Sequence, residues 1–142
     1  MNNVENTLLK VFPIWIEGAQ RDVAESKYFL LLSTGVLLFL LTTAKVDLNL
    51  SEKLENSEIA AVILFSLSVF SAGFMYTRYL VVERGLRVLF TRAIMSTDIN
   101  NPYEDKDIRQ SDRMAFMASR FSVFTFYVGL MAILSAVVLP YE

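Results

Sequence analysis

The sequence predicts an all-α polytopic membrane protein: three transmembrane helices, helical cytosolic extensions of the second and third, and a short N-terminal interfacial helix. Three observations predict it. First, the 142 residues contain three uncharged runs, 28–44, 59–77 and 121–139, of 17, 19 and 19 residues. As helices such runs cover roughly 26–29 Å, close to a hydrocarbon core of about 30 Å. Second, 54% of the residues are hydrophobic and 20% charged, against about 25% charged in soluble domains. Third, Ala118, Ser122, Thr125, Gly129, Ala132 and Ala136 recur at steps of four, three, four, three and four. A soluble coiled coil fills that rhythm with Leu, Ile or Val. Small residues there suit close helix approach in a bilayer. Lipid offers backbone polar groups no water, so the runs are expected as helices.

Residues 1–27 form an amphipathic segment and lead-in. Val4, Leu8, Val11 or Phe12, and Trp15 fall roughly on one stripe. Pro13 is expected to interrupt a long helix, which leaves a short interfacial helix with Trp15 at headgroup level. Glu17 and Arg21, four apart, are expected to pair. Residues 28–44, YFLLLSTGVLLFLLTTA, form the first span between Lys27 and Lys45. The stems of those lysines can lie along the helix while their charges reach the headgroups. The apolar region is too long for a signal peptide and follows 27 residues of mixed charge, so it reads as a retained span.

The external loop, 45–58, is short. Ser51 is a candidate cap for a brief helix within it, and Ser57 for the second span. That span covers 59–82. Helical periodicity then continues through 83–95, where Val82, Leu86, Leu89, Phe90, Ala93 and Ile94 share one broad face. Arg84, Arg87 and Arg92 lie on the other side, and Gly85 is tolerated at a cost of about 1 kcal/mol. Residues 96–107 form an acidic turn around Asn101-Pro102. Asp105 or Asp107 is expected to cap a cytosolic helix, 108–120, that leads into the third span at 121–139.

The small-residue seam extends backwards through Ala115 and Ser111, so Ser111, Ala115, Ala118, Ser122, Thr125, Gly129, Ala132 and Ala136 form one edge. Its three-four alternation favours a left-handed crossing. The reading is helix packing, with pore lining as the alternative. The opposite face carries Arg113, Met117, Arg120, Phe124, Tyr127 and Met131. The second span has small patches on two sides: Ser68, Ser71 and Ala72, and nearly opposite them Ser66, Gly73 and Thr77. Gly35 and Thr42 align in the first span. Three helices do not easily hide so many small surfaces, which points to self-association.

Charge gives the orientation. Segment 1–27 has three basic and four acidic residues, 45–58 two and four, and 78–120 eight and six. The positive-inside rule weighs Lys and Arg near the span ends. It places the N-terminus in the cytoplasm and the C-terminus outside an integral cell-membrane protein.

The chain has no Cys and no His, and its net charge is −2. It therefore lacks thiolate chemistry and the usual neutral-pH base. No metal, nucleotide or hydrolase motif occurs. The acids Glu104, Asp105, Asp107 and Asp112 read as a solvated cap. Neither a catalytic residue, a cofactor, a metal nor nucleic-acid binding is expected, and the protein is not expected to be an enzyme. The uncharged runs hold no mid-span acid for a proton relay. The remaining lead is basic: Arg78, Arg84, Arg87, Arg92, Arg113 and Arg120, with Arg109, are candidates for anionic-lipid or ligand contact. The expected function is a homo-oligomeric channel or pore-forming protein of unassigned selectivity. The alternative is a non-catalytic accessory or scaffolding subunit of a larger membrane complex.

Overall fold

The structure, a computed structural model, describes residues 3–46, 56–95 and 101–138. Three helices account for nearly all of them: α1, Asn3–Val46; α2, Asn56–Met95; and α3, Lys106–Val138. One 3-10 turn, Pro102–Glu104, precedes α3. The described residues include no strand. Each helix is long and apolar enough to cross a membrane. At 1.5 Å per residue, α1 and α2 are each roughly 60 Å long or more, about twice a hydrocarbon core.

The expected break at Pro13 does not occur. The proline lies inside α1, which runs through it without a separate N-terminal helix. Proline removes the hydrogen bond to the carbonyl four residues back. The residue beside it is tightly packed. Phe12 is fully buried, with its ring 5.6 Å from those of both Trp15 and Phe90. Pro13 itself is exposed. The expected Glu17–Arg21 pair is also replaced: Arg21 donates to Glu25 at 2.9 Å. Both side chains are exposed, so the pair contributes little.

α2 is unbroken through Gly85. The Ser57 side chain, expected as its cap, lies outside the described set. The brief helix expected after Ser51 lies outside the described residues. Of the expected acidic turn, 96–100 lie outside the described residues; from Asn101 the chain turns, with Glu104 N–H donating to the Asn101 carbonyl at 2.9 Å. Asp105, not Asp107, caps α3. Its Oδ1 accepts from the backbone N–H groups of Asp107 and Ile108, at 2.9 and 3.2 Å. These are two of the four donors that a helix start leaves unpaired.

α2 is the shared neighbour of α1 and α3. All three pack on heptad lines. The buried line of α1 is Phe12, Ala19, Ser26 and Ser33, each seven apart. That of α2 runs through Ala61, Phe65, Ser68, Ala72, Met75, Val82, Leu86 and Ala93. Spacings of three and four keep one side facing its neighbour, as in left-handed bundles.

Two apolar cores lie along this axis. One gathers Ala61, Phe65 and Phe126, with Phe29 and Leu130 against them. The other gathers Ala19, Val82, Leu86 and Ile108, with Trp15, Ile16 and Leu89. Between them the interior is small and polar: Ser33, Ser68 and Ser122 are fully buried, while Phe70 and Phe124 are 78% and 65% exposed. Large apolar side chains outside and serines inside reverse the distribution of a water-soluble bundle.

Candidate functional site

The seam on α3 faces α2 within the same chain. Ser111, Ala115, Ser122, Thr125 and Gly129 are buried, and Ala118 and Ala132 are half-buried. Ala136 belongs to α3, but its side chain lies outside the described set. At the centre Ser68 and Ser122 clasp each other. Ser68 Oγ–H donates to the Ser122 carbonyl at 3.0 Å, and Ser122 Oγ–H donates to the Ser68 carbonyl at 2.9 Å. The Ser33 hydroxyl stands 3.5 Å from that of Ser68. Thr125 bonds back to the Phe121 carbonyl at 2.9 Å. Above the clasp, a Cβ on Gly129 would meet Phe65 at 2.9 Å. Below it, a Cβ on Gly85 would meet Ile108 at 2.9 Å. At Gly129 a side chain of α2 fills the small edge, and at Gly85 a side chain of α3 fills the gap left on α2.

On α2 the two small patches divide. Ser68, Ser71 and Ala72 are buried, while Ser66 and Thr77 are exposed and Gly73 half-buried. Gly35 and Thr42 of α1 are exposed as well.

The arginines do not converge on one site. Arg84, Arg87, Arg92, Arg109, Arg113 and Arg120 are exposed and Arg78 is half-buried. Arg87 pairs with Glu83 one turn away. Arg78 lies over the Phe74 ring at 4.9 Å, and Arg120 over Phe116 at 4.6 Å. Both are cation–π contacts between neighbours on one helix.

What does converge is acidic. Asp22, Glu25, Ser26 and Phe29 of α1, Met75 and Tyr79 of α2, and Ser119 and Val123 of α3 line a cavity of about 230 Å³. The Phe29 and Phe126 rings, 5.5 Å apart, join α1 to α3. Asp112 of α3 stands near enough for its charge to act on Asp22. The cleft thus pairs carboxylates with an apolar floor of Phe29, Met75 and Val123.

No protein-family model matches this chain, and neither does any curated protein or solved structure.

The sequence reading missed the cleft. On α1 its four residues fall at i, i+3, i+4 and i+7, a visible face. Nothing local ties that face to Ser119 almost a hundred residues later. Of the acids singled out from the sequence, Asp105 is occupied as a helix cap. Among the described residues no group of three carboxylates is placed to hold a metal ion. The cleft offers acceptors and negative charge that can attract a cation or hold water, with Glu25 already accepting from Arg21.

Proposed function

We propose that this is an integral membrane protein that serves as a non-catalytic accessory or scaffolding subunit and carries a rigid three-helix stalk out of the bilayer. The observation behind this reading is the second buried core. Ala19, Val82, Leu86 and Ile108 come together where all three helices have left their uncharged runs. Helices that only cross a membrane have no use for a separate core beyond it. A packed stalk can hold a partner at a fixed distance and angle from the membrane surface. The reversed placement of serine and phenylalanine supports the bilayer. Lys and Arg near the inner span ends support a cytoplasmic N-terminus and stalk, with the C-terminus outside.

The test is purification from native membranes in mild detergent after light crosslinking. A stoichiometric heterologous partner is expected. Recovery of this chain with copies of itself alone would overturn the scaffold reading.

A homo-oligomeric channel is the second reading, favoured by the acid-lined cleft. Rings of carboxylates are one means of cation selection in pores. Oligomer mass, measured beside conductance of the same reconstituted sample, separates the two. A cation current weakened in a protein carrying both Asp22→Asn and Glu25→Gln would favour the channel.

A further inference from the structure

The Ser68–Ser122 clasp fixes the height of α3 against α2, and that height carries an inference. Arg78, the first charge after the second uncharged run, lies ten residues past Ser68, roughly 15 Å along the axis. Arg120 lies only two residues before Ser122, roughly 3 Å. Arg120 therefore stands about 12 Å nearer the clasp than Arg78 does. The Gly85–Ile108 contact gives an independent fix. From there Arg78 is seven residues away and Arg120 twelve, a stagger of about 8 Å. By either fix, Arg120 lies level with residues inside the uncharged run of α2.

Arg120 is also on the outside. It is exposed, with Phe116, Met117, Phe121 and Phe124 exposed around it. Its guanidinium is drawn over Phe116, one turn toward the start of α3. Helical side chains incline in that direction, and here it leads to the inner headgroups. Seven and fourteen residues earlier, Arg113 and Lys106 are exposed on almost the same face. Among the described residues no carboxylate forms an ion pair with any of the three. A ladder of cations climbs the outer face of α3 into apolar surroundings. An unpaired arginine at such depth is costly and calls for an anion.

We infer that Arg120 and Arg113 hold the phosphate of an anionic phospholipid of the inner leaflet, drawn below its ordinary headgroup level along the outer face of α3. This rests on the membrane reading above. Guanidinium forks match phosphate oxygens two at a time, and the acyl chains would lie on Phe121, Phe124 and Met131.

The test uses the full chain in nanodiscs of phosphatidylcholine with a minor share of phosphatidylglycerol. Co-purifying lipid is counted by native mass spectrometry. Wild type should be enriched in phosphatidylglycerol. Arg120→Gln and Arg113→Gln should each lower that enrichment about fivefold, whereas Arg84→Gln, exposed on α2, should not. Arg120→Lys should keep part of it. Unchanged enrichment in Arg120→Gln, with helicity intact, would overturn the proposal. So would an equal loss in Arg84→Gln, which would indicate diffuse charge. Loss of a co-purifying protein from Arg120→Gln with lipid unaltered would also overturn it, in favour of a partner's carboxylate. A spin label on Phe124→Cys tests the underlying reading separately. Contact with a lipid-soluble quencher supports α3 in the bilayer, and contact with a water-soluble one overturns the membrane assignment itself.

Discussion

Gly129 leaves space for Phe65: a β-carbon on Gly129 would stand 2.9 Å from Cε2 of that ring and 3.1 Å from Cδ2. The ring has little freedom to yield. It is fully buried and meets Phe126 edge-to-face, with centroids 5.3 Å apart. Gly129→Leu should therefore destabilise the single chain by about 1–3 kcal/mol, despite the better helix propensity of leucine. It should cost more than Leu130→Ala. Unfolding by denaturing detergent in mixed micelles is the measurement. Phe65→Ala, itself destabilising, should remove most of the added penalty. A variant that unfolds like wild type while its oligomer mass falls would move this contact between subunits.

Gly85 makes the sharper test, because the sign of one substitution should reverse. Alanine there gains up to about 1 kcal/mol in helix propensity. Its methyl would meet Cγ1 of Ile108 at 2.9 Å and Cδ1 at 3.1 Å, and Ile108 is buried. Overpacking by about 1–3 kcal/mol should win, so Gly85→Ala destabilises the wild type. In an Ile108→Ala background the same change should stabilise. A substitution that acts the same way in both backgrounds would remove this contact from the account.

The Ser68–Ser122 clasp should prove modest in energy and strict in size. Ser68→Ala and Ser122→Ala should each cost about 0.5–1.5 kcal/mol, the usual net worth of one hydrogen bond. Ser122→Val should cost more, because both serines are fully buried and the helices have no room to part. A valine no worse than alanine would show a loose crossing.

Asp105→Ala should cost about 0.5–2 kcal/mol, as is usual for loss of an N-cap. Amide exchange should rise first at Asp107 and Ile108, the two groups that the carboxylate holds. Asp105→Asn should keep most of the stability, since the amide oxygen can accept the same bonds. Equal loss in both variants would point to charge instead of capping.

Orientation is open to labelling. Single cysteines at Asn3 and Asn100 should react only from the cytoplasmic side, and those at Asn49 and Glu142 only from outside. An impermeant reagent that labels Asn100→Cys in intact cells would reverse the assignment.

The three helices and the α3 seam were legible because each is a local pattern: an uncharged run, or small residues at three-four spacing. The buried line of α1 was harder to see. Phe12, Ala19, Ser26 and Ser33 keep a strict interval of seven, yet they mix an aromatic, an alanine and two serines and so lack hydrophobic contrast. Pro13 misled for a related reason. Its local cost is real, but the packing of Phe12 against Phe90 comes from a segment almost eighty residues away. Gly85 seemed merely tolerated in the sequence, and the approach of Ile108 supplies its reason. The acidic cleft and the stagger of Arg120 over Arg78 depend on how far one helix slides along another. That sliding is set by pairs such as Ser68 and Ser122, each of which alone is an ordinary serine.

Most of the buried or half-buried hydroxyls with described bonds turn back on their own helix. Ser26 donates to Val23, Ser33 to Phe29, Thr34 to Leu30, Ser71 to Leu67 and Thr125 to Phe121. On the membrane reading proposed above, with the chain delivered to a bilayer one segment at a time, this matters before any tertiary contact exists. The first helix can wait in lipid with its serines already satisfied, and needs no chaperoning neighbour to hide them. Ser68 and Ser122 reach across only once the last helix arrives, and until then each has the same recourse to a carbonyl one turn back. On that reading insertion and assembly are uncoupled for these hydroxyls: each has a carbonyl of its own helix to bond, and the final fit is decided by shape.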